Sequence, residues 1–187
     1  MKKVPKQPVL VALLRAINVG GNRKVPMAEL RALVEELGWE RVETYIQSGN
    51  LVFAASATAS AAEDVLERAL ERRFGFAIPV IVRSAETWSG YASGSAFSDA
   101  ETERPNLLHL GLSKRPPKPG AVDGLVKYCT RGERVELRGD ALWVDFPAGV
   151  GRSKLTPSVI DRVIGSAVTM RNWNTVQELA RMSGDAG

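Results

Sequence analysis

The chain has one cysteine, Cys129, and one histidine, His109, in 187 residues. A single thiol cannot close an internal disulfide, which suits a reducing compartment. One histidine and one cysteine, without a carboxylate-histidine spacing, supply too few donors for zinc, so neither a metal nor a cofactor is expected. His109 lies in the apolar run LLHLGLS and reads as a strand residue. Cys129 has no histidine near it in sequence and reads as a passive thiol. Long apolar runs are also missing: none approaches the roughly 18 residues of a membrane span, so no membrane partner is expected. Lys2, Lys3 and Lys6 precede an apolar stretch, but Arg15 interrupts it and no small-residue cleavage site follows, so it is not read as a signal peptide. These absences together point to a cytoplasmic protein.

What remains is ordinary globular composition, 44% hydrophobic and 25% charged, enough to bury a substantial core. The formal charge of +4 favours an anionic partner only modestly, because both signs are abundant.

The element order is more informative. Val9 to Leu14 is continuously apolar and predicts a central strand. After the turn NVGGNRK, Met27, Leu30, Leu33, Val34 and Leu37 fall on one helical stripe that Gly38 stops. Val42 to Gln47 and Leu51 to Ala55 form a predicted hairpin. Ser60 with Glu63 is a capping-box pattern opening a helix that ends at Gly75, and Ile78 to Val82 is a strand. The stretch YASGSAFSDAETERP loses periodicity and reads as a linker. Leu107 to Leu112 then restarts the cycle: a helix with Leu125 and Val126, a hairpin around Gly139-Asp140, a helix opening at Thr156-Pro157, and a strand from Ala167 to Met170. A last helix follows from Thr175, with Asn174 as its expected cap.

Both halves therefore read β-α-β-β-α-β. The fold class is α/β in the α+β sense: two ferredoxin-like halves with antiparallel sheets of strand order 4-1-3-2 and a C-terminal helix. The expected division is residues 1–92, a linker at 93–105, and residues 106–187.

That topology gathers polar residues distant in sequence. In the first half, the end of strand one, the start of the first helix and the turn between strands two and three share one edge. This brings Arg15, Asn18, Gly20, Gly21, Asn22, Arg23 and Lys24 to Gln47, Ser48 and Asn50. In the second half, the loop after strand three meets the end of strand four, joining Gly149, Gly151, Arg152, Ser153 and Lys154 to Arg171, Asn172, Trp173 and Asn174. Both clusters adjoin helix N-termini, whose N–H groups favour an anion. GVGRSK is not a P-loop, because it lacks the G-x-x-x-x-G-K-[ST] spacing.

The segments LLRAINVGGNRKVPMAELRALVEELG, TYIQSGNLVF, GRSKLT and TMRNWNTVQELARM closely resemble the bacterial family catalogued as domain of unknown function 1697. The resemblance spans nearly the whole chain and implies a two-part α/β fold of paired ferredoxin-like units. It brings no catalytic residues, since the family name assigns no activity.

The leading expectation is binding of an anionic ligand, a nucleotide or nucleic acid. Arg152, Lys154 and Arg171 would supply charge, Ser153 and the turn backbone would donate hydrogen bonds, and Trp173 would stack on a base. The aromatic-rich strands of an RRM are absent from Val9 to Leu14 and from Leu51 to Ala55. One alternative is an enzyme acting on a phosphorylated small molecule, with Ser153 or Asp145 in the chemistry. Another is a protein-interaction module in which Trp173 and the basic turns are folding features.

Overall fold

The computed structural model describes residues 7–185, so Lys2, Lys3 and Lys6 lie outside the described residues. In chain order the elements are β1 (Val9–Leu14), α1 (Met27–Glu36), β2 (Glu40–Tyr45), β3 (Asn50–Ala54), α2 (Ala59–Phe74), β4 (Val80–Ser84), α3 (Ala85–Ala92) and α4 (Ser98–Glu103). There follow β5 (Leu108–Ser113), α5 (Ala121–Val126), β6 (Arg134–Arg138), β7 (Ala141–Asp145), a 3-10 turn at Val150–Arg152, α6 (Pro157–Ile164), β8 (Val168–Asn172) and α7 (Trp173–Asp185).

The strands form two four-stranded antiparallel sheets, β2-β3-β1-β4 and β6-β7-β5-β8. Each is the expected 4-1-3-2 order, so the chain is two ferredoxin-like halves with a C-terminal helix. The described residues divide into two compact units: 7–89 with 179–185, and Gly90–Glu178.

In the first unit Leu10, Ala12 and Leu14 of β1 and Leu51 and Phe53 of β3 pack with Leu30 and Val34 of α1 and Leu66 and Leu70 of α2. In the second, Leu142 and Val144 of β7 and Val168 of β8 pack with Leu125 of α5 and Ile160 and Ile164 of α6. Each of these valine, leucine, isoleucine and phenylalanine side chains, fully buried, contributes about 1.5–3 kcal/mol.

The two halves repeat local devices. Thr58 caps α2 by accepting from Ala61 N, and Thr156 caps α6 by accepting from Val159 N. Both helices end on a left-handed glycine, Gly75 and Gly165. The edge strands β4 and β8 have amide hydrogens occupied by carboxylates of the helix before them: Glu67 accepts from Val80 N, Glu63 from Val82 N and Asp161 from Val168 N. Glu63 thus serves the sheet, and the cap of α2 is Thr58, two residues before the expected Ser60. Likewise α7 is capped by Asn172, whose Oδ1 accepts from Thr175 N, and not by Asn174. Within residues 93–105 the chain forms α4.

Candidate functional site

In the first unit the expected edge is assembled by backbone and by one asparagine. Leu14 N donates to Gly49 O at 2.8 Å, tying the end of β1 to the β2–β3 turn. Asn18 Nδ2 donates to Gln47 O at 2.8 Å and to Val25 O at 3.0 Å, and its Oδ1 accepts from Val25 N at 2.8 Å. Its φ of 55° is left-handed, a conformation that asparagine tolerates through such local bonds. Gly49 is obligatory: its φ is +78°, and a Cβ there would lie 2.6 Å from Ile17 Cδ1 and 2.8 Å from Leu14 Cβ. Asn50 is fully buried and donates to Tyr45 O and Ser48 Oγ, holding the turn from inside. Arg23 donates to Ala77 O and lies 5.0 Å over the Phe76 ring. Lys24 is exposed and Arg15 half-buried. The joined segments 15–24 and 46–50 hold three cations and no carboxylate.

In the second unit the ends of β7 and β8 flank the start of β5, with Asp145 opposite Leu108 and Asn172 opposite His109. The two polar segments therefore reach the same end of the sheet. Residues 104–107 run between them: Phe146 N donates to Leu107 O, Trp173 N to Pro105 O, and Asn174 Nδ2 to Asn106 Oδ1 at 2.6 Å. Arg152 and Lys154 are exposed, while Ser153 between them turns inward. Ser153 Oγ donates to Glu133 Oε1 at 2.6 Å and accepts from Leu155 N, and Arg131 N donates to Glu133 Oε2 at 2.7 Å. Burial raises the pKa of the Glu133 carboxyl, but the hydrogen bonds from Ser153 and Arg131 outweigh it and leave the group below its ordinary value. This clamp groups the exposed Arg131 with Arg152 and Lys154.

The remaining members of that cluster face inward or serve the helix. Trp173 is buried, edge-to-face with Trp143 at 5.7 Å. Arg171 is half-buried, donates to Met170 O, and is lowered by burial to about 10, so it stays cationic at neutral pH. Asn174 is exposed.

A charged network that sequence reasoning missed sits beside this edge. Asp145 is fully buried and accepts from Arg104 Nε and Nη2 at 2.9 Å, and from Arg134 Nε at 2.9 Å. Both arginines also reach Asp99, and Arg134 lies 4.5 Å over Phe97. Hydrogen bonds from Arg134 and, against some desolvation, Arg104 hold the Asp99 carboxyl at about 2. No sequence pattern pairs residue 104 with residue 145; the acidic opening of α4 was the sole local signal. His109 packs edge-to-face on Phe146 at 5.4 Å, its Nδ1 is buried without a hydrogen-bond partner among the described residues, and burial lowers its pKa. Burial and, next to it, the Glu133 carboxylate raise the pKa of the half-buried Cys129 thiol, which favours its protonated form.

The family model described as "Protein of unknown function (DUF1697)" matches residues 8–143. No curated protein matches the chain. Among solved structures, a conserved bacterial protein from Streptococcus pneumoniae is similar with a TM-score of 0.74 and 22% identity, over 95% of this chain and 99% of that one. At that identity the likeness is one of fold. An unknown protein from Galdieria sulphuraria aligns over 89% of this chain and 98% of its own, but with 12% identity and a TM-score of 0.26 it supports no argument. No helix among the described residues is long and apolar enough to cross a membrane.

Proposed function

We propose that this chain, which belongs to the DUF1697 family, binds a phosphate-bearing anion, a nucleotide or nucleic acid, at its basic loops. The observation that carries the reading is the first-unit edge, where Asn18 knits two loops together and Arg15, Arg23 and Lys24 have no carboxylate among them. Cations on a loop already fixed by hydrogen bonds lose little further freedom on binding, so more of the Coulomb attraction survives as affinity. The exposed pair Arg152 and Lys154, with Arg131 beside them, adds a second basic surface. Arginine forks and lysine point charges are the usual phosphate contacts.

The contacts assigned to the ligand are therefore Arg15, Lys24, Arg152 and Lys154. Asn18, Ser48 and Asn50 shape the first loop pair; Asn172 and Trp173 build the start of α7. An enzyme acting on a phosphorylated small molecule would draw on Ser153 or Asp145. Both are engaged in the fold, Ser153 by Glu133 and Asp145 by two arginines, so binding is the better-supported reading. A cytoplasmic location accords with the lone, unpaired thiol.

Fluorescence anisotropy of a labelled single-stranded RNA and of a labelled nucleoside triphosphate, at about 50 mM salt, tests this. Binding weakened several-fold in Arg15→Gln/Lys24→Gln, and in Arg152→Gln/Lys154→Gln, is expected. No binding of either probe, or binding indifferent to both variants, overturns it.

A further inference from the structure

The connection between β5 and α5 repeats the construction of the one between β1 and α1. Both follow the first strand of a 4-1-3-2 sheet, so they occupy equivalent positions in their units. In the first unit the Arg23 side chain reaches across to Ala77 O, in the connection leading from α2 into β4. In the second, Arg115 Nη2 donates at 2.8 Å to Gly165 O, in the connection leading from α6 into β8. The Lys118 backbone N–H donates to Ile164 O at 3.0 Å, and the Lys118 stem lies so close over Gly165 that a Cβ there would force the stem to shift. Each loop is thus pinned by an arginine to the corresponding connection of its own unit. Lys114, Arg115 and Lys118 are exposed, and residues 114–118 contain no carboxylate.

Charge makes this repetition consequential. Arg15, Arg23, Lys24, Lys114, Arg115 and Lys118 are six cations in two loops without one acid, whereas the whole chain has a formal charge of +4. Everything outside the two loops is net negative. Each loop is therefore a local excess of positive charge, which attracts anions. Neither loop contains an aromatic residue on which a base could stack. This composition suits a repeating phosphate chain, not a particular base.

We infer that the Lys114–Lys118 loop is a second phosphate-contacting edge, equivalent within its own unit to Arg15–Lys24, and that its occupant is a nucleic-acid phosphate backbone. This rests on the anion-binding reading above and narrows it: a mononucleotide carries phosphate at one end only, whereas a polymer carries one at every residue and can meet several cations of the loop in turn. Binding that ignores base sequence follows.

The test is the dependence of RNA affinity on salt for the full chain and for Lys114→Gln/Lys118→Gln, which keeps the aliphatic stems and the Arg115 clamp. Each phosphate contact contributes about 0.7 to the slope of log K against log salt for a single strand, so the loss of two is expected to lower it by about 1.4. The comparison variant Arg68→Gln/Arg72→Gln removes the same charge from exposed positions of α2 and is expected to keep the slope. Should Lys118→Gln disturb the packing on Gly165, Lys114→Glu alone gives the same readout, with the slope again reduced. Nucleoside triphosphate at equal total phosphate is expected to displace little RNA. A folded loop variant that retains the wild-type slope, or full displacement by the mononucleotide, overturns the inference and leaves anion binding standing. Failure of the wild-type chain to bind RNA or nucleotide at low salt overturns both.

Discussion

Asp145→Asn is the substitution whose cost can be worked most directly from the structure. The carboxylate is fully buried, and Arg104 and Arg134 both converge on it. Asparagine keeps its shape and removes its charge, leaving two guanidinium groups without their central counter-ion. Breaking a buried ion pair from one side costs about 3–5 kcal/mol. The arginine side chains are 22% and 38% exposed, so water and Asp99 recover part of that, and a loss of about 2–4 kcal/mol is expected. Asp99→Asn removes a carboxylate that touches the same arginines from the solvent side, and its loss is expected to be much smaller. Urea unfolding followed by tryptophan fluorescence measures both, with Trp143 two residues from Asp145 as a local reporter. A loss below about 1 kcal/mol for Asp145→Asn, or one equal to that of Asp99→Asn, would refute the view that Asp145 is the electrostatic centre of this unit.

Other expectations follow from single contacts. Burial lowers the His109 pKa below its ordinary 6.5, so the unfolded chain takes up that proton first. The stability this contributes is present above about pH 6.5 and is lost as the pH falls toward the folded value, and His109→Leu is expected to flatten the stability profile between about pH 7 and 5; an unchanged slope contradicts it. Gly165→Ala places a Cβ at φ +85° and against the Lys118 stem, for an expected loss of about 1–3 kcal/mol in thermal or urea unfolding. Asn18→Ala removes one hydrogen bond that joins two loops and two that close the first loop on Val25, and faster proteolysis within residues 15–25 together with weaker anion binding is expected. Proteolysis and binding both unchanged would mean that the backbone alone orders this edge.

The fold was legible because its signals are local. Apolar runs such as Val9–Leu14, the Gly stops at Gly38, Gly75 and Gly165, and the Thr156-Pro157 helix start yield the element order, and that order implies the 4-1-3-2 sheets. The gathering of Asn18 with Gln47 was legible for the same reason. What the side chains do there was not. Asn18, Asn50 and Asn172 look alike in sequence, yet the first joins loops, the second is buried under a turn and the third caps α7. Trp173 between two asparagines suggests exposure, but the edge of Trp143 meets it in the interior. The Arg104–Asp145–Arg134–Asp99 network escaped notice because its members span 47 positions of chain, from Asp99 to Asp145 inclusive, with no spacing rule to link them. The basic Lys114–Lys118 loop has no motif or periodicity to single it out in sequence; its equivalence to Arg15–Lys24 emerges when the two sheets are compared.

The central claim is that phosphate meets this protein at its pinned basic loops. Amide chemical-shift mapping during titration of the isotopically labelled chain with a short single-stranded RNA locates the contact residue by residue. The account predicts that the largest shifts fall in residues 15–24, 46–50 and 114–118, with a further set around Arg152 and Lys154. Shifts confined to other surfaces, or none at low salt, would contradict it.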